Sequence, residues 1–260
     1  MNTYLPAPGR RSYSRIGVVV TAVLAAILVA AVAFLLLPKT QSEMLGAASG
    51  VSATGQCISS MPDNPKIVRA CKFGNWWYSA SRNPTTGNVG AIVVYDFHSA
   101  TSLQNYVAAN KTLLNEVVAS TEPVEVLITF RSPVPVNQFR SWVQITGLNV
   151  LHSQLREAGR VTIGIEAQAN DPLAQRDIDK FAHGSIQGVI NTRATVAANQ
   201  LAGLAGDPTV FLVDVSPTWV RRDLVAAGIA GGATARVEVD SPYWDMETLG
   251  LAKFALPPTP

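Results

Sequence analysis

Histidine, cysteine and charge are all scarce in this chain. Its 260 residues hold three histidines, His98, His152 and His183, and two cysteines, Cys57 and Cys71. Neither set has the paired-ligand spacing that zinc sites use, so no metal or other cofactor is expected. Charged residues are 15% of the whole, and four of the twenty bases, Arg10, Arg11, Arg15 and Lys39, precede the first acid, Glu43. Beyond them sixteen bases face eighteen acids. A slightly acidic remainder, without basic clusters or arginines set among aromatics, has little electrostatic reason to bind nucleic acid. Signature motifs are missing too. No serine stands in a G-x-S-x-G turn, and Gly228, Gly231 and Gly232 lack the lysine and hydroxyl that complete a phosphate-binding loop. Those glycines read as a helix end and a change of direction.

Apolar residues are plentiful, at 48% of the chain. Residues 16–37 carry no charge, and Thr21 is their only hydroxyl. At about 1.5 Å per residue, a helix of this length reaches roughly 33 Å, enough for a hydrocarbon core of about 30 Å. Arginines before the run place residues 1–15 in the cytoplasm by the positive-inside rule. The competing reading is a cleaved secretory signal, but the small-residue sites nearest to it, around Ala48 and Ala53, lie well past Pro38. Either way the bulk of the chain is exported. The expected location is the cell membrane, single-pass, with the C-terminal domain extracytoplasmic. In an oxidising compartment Cys57 and Cys71 are a candidate disulfide, the alternative being two buried thiols.

Residues 38–56, rich in Gly, Ala, Ser and Thr, read as a flexible stalk. Residues 57–122 read as a β-rich extension with one helix: strands over 67–73, 75–81 and 89–97, then an amphipathic helix over 101–120. Residues 123–256 read as an α+β domain. Strand 124–130, helix 136–145, a hairpin of 148–155 and 161–167, a helical stretch over 171–205 and strand 210–215 give the order β-α-β-β-α-β. That order predicts a split-βαβ, ferredoxin-like, two-layer sandwich. A further helix over 218–227 and a strand over 235–239 follow, and residues 257–260 read as a frayed tail.

Three serines, Ser99, Ser132 and Ser216, fall between a predicted strand and a predicted helix. Nucleophiles occur at such junctions, yet helix capping accounts for all three. In His183-Gly184-Ser185 a base adjoins a hydroxyl, but sequence neighbours need not face each other. Asp177 and Asp179, two apart on a predicted helix, point in different directions and read as a solvated face, with Asp171 nearby. The aromatics are stronger candidates. In Trp76-Trp77-Tyr78, strand alternation puts Trp76 and Tyr78 on one face and Trp77 on the other. Tyr243 and Trp244 lie in a second aromatic and acidic segment. These five are the candidate partner-binding residues, facing an envelope protein or a glycan, unless they pack inside the domain. The expectation is a non-catalytic binding, sensing or assembly domain. Its alternative is an anchored envelope hydrolase, with residues from His98, His152, His183 and the capping serines assembled in space.

Overall fold

In the computed structural model, which describes residues 55–59, 66–119, 121–168, 171–231 and 235–252, the chain forms two five-stranded sheets. The first contains β1 (Gln56–Ile58), β2 (Ile67–Phe73), β3 (Trp76–Arg82), β4 (Val89–Tyr95) and β10 (Arg236–Val239), in that order. Strict alternation sets its two sides. Trp76, Tyr78 and Ala80 of β3 and Val89, Ala91 and Val93 of β4 are buried, while Trp77 and Ser79 are half-buried on the opposite side. Between β3 and β4 the Asn83 side chain accepts the Thr85 and Thr86 amides at 2.9 and 3.1 Å, fixing the turn that Pro84 and Gly87 begin and end. Strand β10 pairs in parallel with β4, so the end of the chain returns to the sheet with which the domain starts.

The second sheet runs β7-β6-β8-β5-β9, from β5 (Val124–Val134), β6 (Asn149–Glu157), β7 (Val161–Glu166), β8 (Ile186–Val196) and β9 (Val210–Asp214), all neighbours antiparallel. The architecture is therefore mixed α+β with two sheets, and its strand order departs from the expected ferredoxin-like sandwich. That fold would place its first and third strands side by side and parallel, whereas β5 and β7 are separated here by β8 and β6. The cause is β8. Residues 171–205 contain the short helices α3 (Gln175–Phe181) and α4 (Leu201–Gly206), the latter preceded by a 3-10 turn, with an eleven-residue strand between them. Ile186, Val189, Ile190, Thr192, Thr195 and Val196 are β-branched and favour a pleated, half-buried surface over a helix. The split-βαβ unit itself is present: β5 and β6 run parallel on either side of β8, joined through α2 (Val136–Thr146).

Helices α1 (Ala100–Val118) and α5 (Ser216–Ala226) lie between the two sheets. Helix α1 starts at a reciprocal capping box of Ser99 and Ser102 and sets Tyr106 against Trp76 of the first sheet and Asp214 of the second. Helix α5, with Pro217 in its first turn, stacks Trp219 edge-on to Phe73 at 5.0 Å. Its Asp223 takes two hydrogen bonds from Arg69, at 2.7 and 3.0 Å, and one from the Tyr78 hydroxyl. A last helix, α6 (Tyr243–Thr248), docks on the second sheet. Cys57 and Cys71 stand directly opposite on β1 and β2, with sulfurs 2.10 Å apart, and form a disulfide. Among the described residues no helix is long and apolar enough to cross a membrane. The predicted span at 16–37, nearly all of the stalk and the tail at 257–260 lie outside them.

Candidate functional site

The two faces of the second sheet differ in chemistry. Residues paired across an antiparallel ladder share a face, so the register identifies each side. One side carries Val126 and Ile128 of β5, Ala194 of β8, Val150 and Leu155 of β6 and Ile163 and Ile165 of β7, all buried and apolar. The other side is polar. Across all five strands its central row reads Glu166, His152, Arg193, Leu127, Asp214. The next row sets Gln154 beside Asn191 and Asn191 beside Thr129. Buried polar groups are costly unless hydrogen-bonded, and Asn191, Gln154, Thr129, Arg193 and Asp214 each have a partner. Asn191 donates to the Gln154 side chain at 2.7 Å, and Thr129 lies 3.2 Å from the Ser241 hydroxyl.

Different elements cover the two ends of this face. At one end Glu125 accepts from both Arg193 and Arg221 of α5, the latter at 2.6 Å, and Arg193 also donates to the Val237 carbonyl of β10 at 2.8 Å. At the other end α6 lies across β6 and β7. Glu247 pairs with the fully buried Arg156 at 2.7 Å, and Trp244 donates to Thr162 at 3.2 Å. Between these covers a groove of about 550 Å³ stays open, floored by His152, Gln154, Asn191 and Arg193 and walled by Glu166 and the 238–241 segment.

His152 is half-buried in this groove, and burial, reinforced by Arg193, lowers its pKa below the ordinary 6.5 against the opposing pull of Glu166. The imidazole is therefore neutral near pH 7, able to donate from one nitrogen and accept at the other. Its place depends on a missing side chain: a Cβ on Gly164, across the ladder on β7, would sit 2.7 Å from His152 Nε2. At the closed end of the row Asp214 is sealed from solvent, accepting from the Tyr106 hydroxyl at 2.5 Å and the Ser216 amide at 2.8 Å. Burial pushes the pKa of this carboxyl up, against the lowering effect of those bonds.

Several residues singled out in the sequence have structural roles instead. Trp76 and Tyr78 are 2% and 0% exposed and Tyr243 is 0% exposed, so these three cannot present rings to a partner from the folded domain. They are core because the strand and helix faces carrying them meet α1, α5 and the second sheet. Trp77 and Trp244 remain half-buried, Trp244 flanked by the guanidinium carbons of Arg156 and Arg160 at 5.3 and 5.1 Å. Ser99 caps α1, whereas Ser132 lies within β5. His98 pairs with Asp96 at 2.6 Å on the surface, and the backbone amide of the exposed His183 donates to Glu157 at 2.7 Å. Asp171, Asp177 and Asp179 each bind a different neighbour, and no cluster of three or more metal-ligating side chains occurs among the described residues. Asn191 and Arg193 escape the sequence reading because β8 reads as helix, and Gln154, on an expected strand, because that reading does not place its partner Asn191 beside it. Taken as a strand, its alternation would have set Asn191, Arg193 and Thr195 on one side. Compared with models of known families, with curated proteins and with solved structures, the chain matches none.

Proposed function

We propose that this chain is a single-pass membrane protein whose domain, outside the cytoplasm, is a non-catalytic binding module with its ligand site in the groove over the polar sheet face. The row Glu166, His152, Arg193 carries this reading. A sheet buried for stability alone is better served by apolar side chains on both faces, and here donors and acceptors converge on an open concavity instead. Acids, guanidinium, amides and a neutral imidazole together suit a small polar molecule or a polar segment of an envelope component. The anchor rests on the uncharged length of residues 16–37 and the bases before it. Trp77 and Trp244, the half-exposed members of the aromatic set, are the contacts proposed for an envelope protein or glycan.

The test is a screen of envelope sugars, peptides and amino compounds for thermal stabilisation of the full chain in detergent. Expected is a ligand whose stabilisation disappears in His152→Gln and Asn191→Ala variants that remain folded. A ligand whose effect survives both changes refutes the groove as its site. A reporter fused after Pro260 tests topology, and activity confined to the cytoplasm would overturn the orientation. A second reading, an anchored hydrolase, is favoured by His152 standing beside Glu166, since a neutral imidazole next to a carboxylate is a suitable general base. Turnover lost in His152→Gln with binding retained would select it.

A further inference from the structure

A second concavity, separate in its lining from the groove except for Arg236, opens at the hairpin end of the first sheet. It measures about 490 Å³ and is bordered by Lys66, Arg82 and Arg236, with Ser81 and Asn83 between them and Gly90 on its floor. Among the described residues no acid lines it. That is unexpected by charge alone, since beyond Glu43 the chain has more acids than bases.

The three cations come from separate elements: Lys66 just before β2, Arg82 at the end of β3 and Arg236 at the start of β10. Backbone pairing holds them together. The Arg82 amide donates to the Lys66 carbonyl at 2.9 Å, and Ser81, Gly90 and Arg236 form one row across the sheet. Arg82 is positioned by a 2.8 Å bond to the Ile229 carbonyl and keeps further N–H donors to offer. Arg236 pairs with Glu238 at 3.0 Å, but both side chains are mostly exposed, so the pair holds Arg236 weakly and another anion can redirect it. Gly90 adopts an ordinary extended conformation, and a Cβ there would meet nothing within 4 Å, so its small size is what leaves the floor open.

We infer that this cradle binds a phosphoryl oxyanion, held by Arg82, Arg236 and Lys66 over the Gly90 floor. Guanidinium forks match phosphate oxygens in geometry and charge, and two guanidiniums with an ammonium surround a tetrahedral anion better than either alone. The source is either free phosphate or the headgroup of an anionic lipid. This site shares only Arg236 with the lining of the ligand groove proposed above.

The test is calorimetric titration of inorganic phosphate into the full chain in a non-ionic detergent. Saturable binding is expected, weakened about tenfold or more by Arg82→Gln and lost in Gly90→Leu, with the melting temperature of both variants unchanged. No binding, equal binding of chloride, or binding unaffected by both substitutions would overturn the inference. Soluble dihexanoyl phosphatidylglycerol forms a second arm: tighter binding than phosphate identifies a lipid headgroup, weaker binding identifies free phosphate, and both support the shared chemistry. Neither Arg82 nor Gly90 lines the groove over the second sheet, so failure of this site and failure of that groove are seen separately.

Discussion

Replacing Glu247 by alanine would leave the guanidinium of Arg156 inside the protein without the carboxylate it now faces. The side chains are 0% and 7% exposed and meet at 2.7 Å. Removing one partner of such a buried pair typically costs about 3–5 kcal/mol, a large part of the roughly 5–15 kcal/mol that holds a domain folded. With a urea dependence of about 2 kcal/mol per molar, the unfolding midpoint should fall by roughly 2 M. Helix α6 should loosen as well, because Trp244 stacks on the Arg156 guanidinium and Arg160 bonds Thr248 at 3.1 Å. Fluorescence-detected urea unfolding of Glu247→Ala, Glu247→Gln and the double variant Arg156→Met with Glu247→Met measures this. Glutamine keeps an acceptor for the guanidinium and should cost less, and the double apolar change should cost less than alanine alone. A loss below about 1 kcal/mol for Glu247→Ala, or a double variant less stable than it, would refute the view that α6 is held by this pair.

Three other outcomes are expected. Reduction of the Cys57–Cys71 bond, or its replacement by two serines, should destabilise the domain by about 3 kcal/mol, the chain-entropy value for a loop of about 15 residues, in denaturation with and without reductant. Gly188→Ala should be more damaging than an ordinary strand substitution, by about 3 kcal/mol, because Gly188 has φ +146° and a Cβ would lie 2.6 Å from the Val134 carbonyl oxygen; a melting temperature close to that of the unmodified chain would contradict the β5–β8 contact. For His152 the folded pKa lies below the unfolded 6.5, so below that pH the unfolded chain binds the extra proton first. Stability should be fully present above pH 6.5 and decline as pH falls towards the folded pKa, and His152→Gln should remove that part of a stability-against-pH curve.

Local features of the sequence translate directly into local structure. The alternation of Trp76, Trp77 and Tyr78 places two rings inside and one half-out, Ser99 caps α1, and Gly159, at φ +77°, turns the chain between β6 and β7. Such features depend on neighbours within a few residues, and spacing alone reports them. The disulfide candidate was legible because the chain holds two cysteines and its bulk reads as exported, and the register of β1 and β2 brings them opposite.

What the tertiary structure alone decided begins with β8. A segment whose apolar residues also suit a helix becomes the central strand of the second sheet because β5 and β6 pair with both its edges. Propensity is a weak prior against ladders of backbone hydrogen bonds on both edges. The candidate site follows from that placement. Glu166, His152, Arg193 and Asp214 come from four strands spread over 63 positions, from His152 to Asp214, and only the register sets them in one row. The basic cradle joins Lys66 and Arg82 to Arg236 for the same reason, since β10 pairs with β4 from the far end of the chain. By itself the sequence determined the scarcity of metal and nucleophile signatures, the long uncharged run and the local faces of its elements. Which polar side chains meet was decided by strand pairing between distant segments, whose register no local pattern encodes.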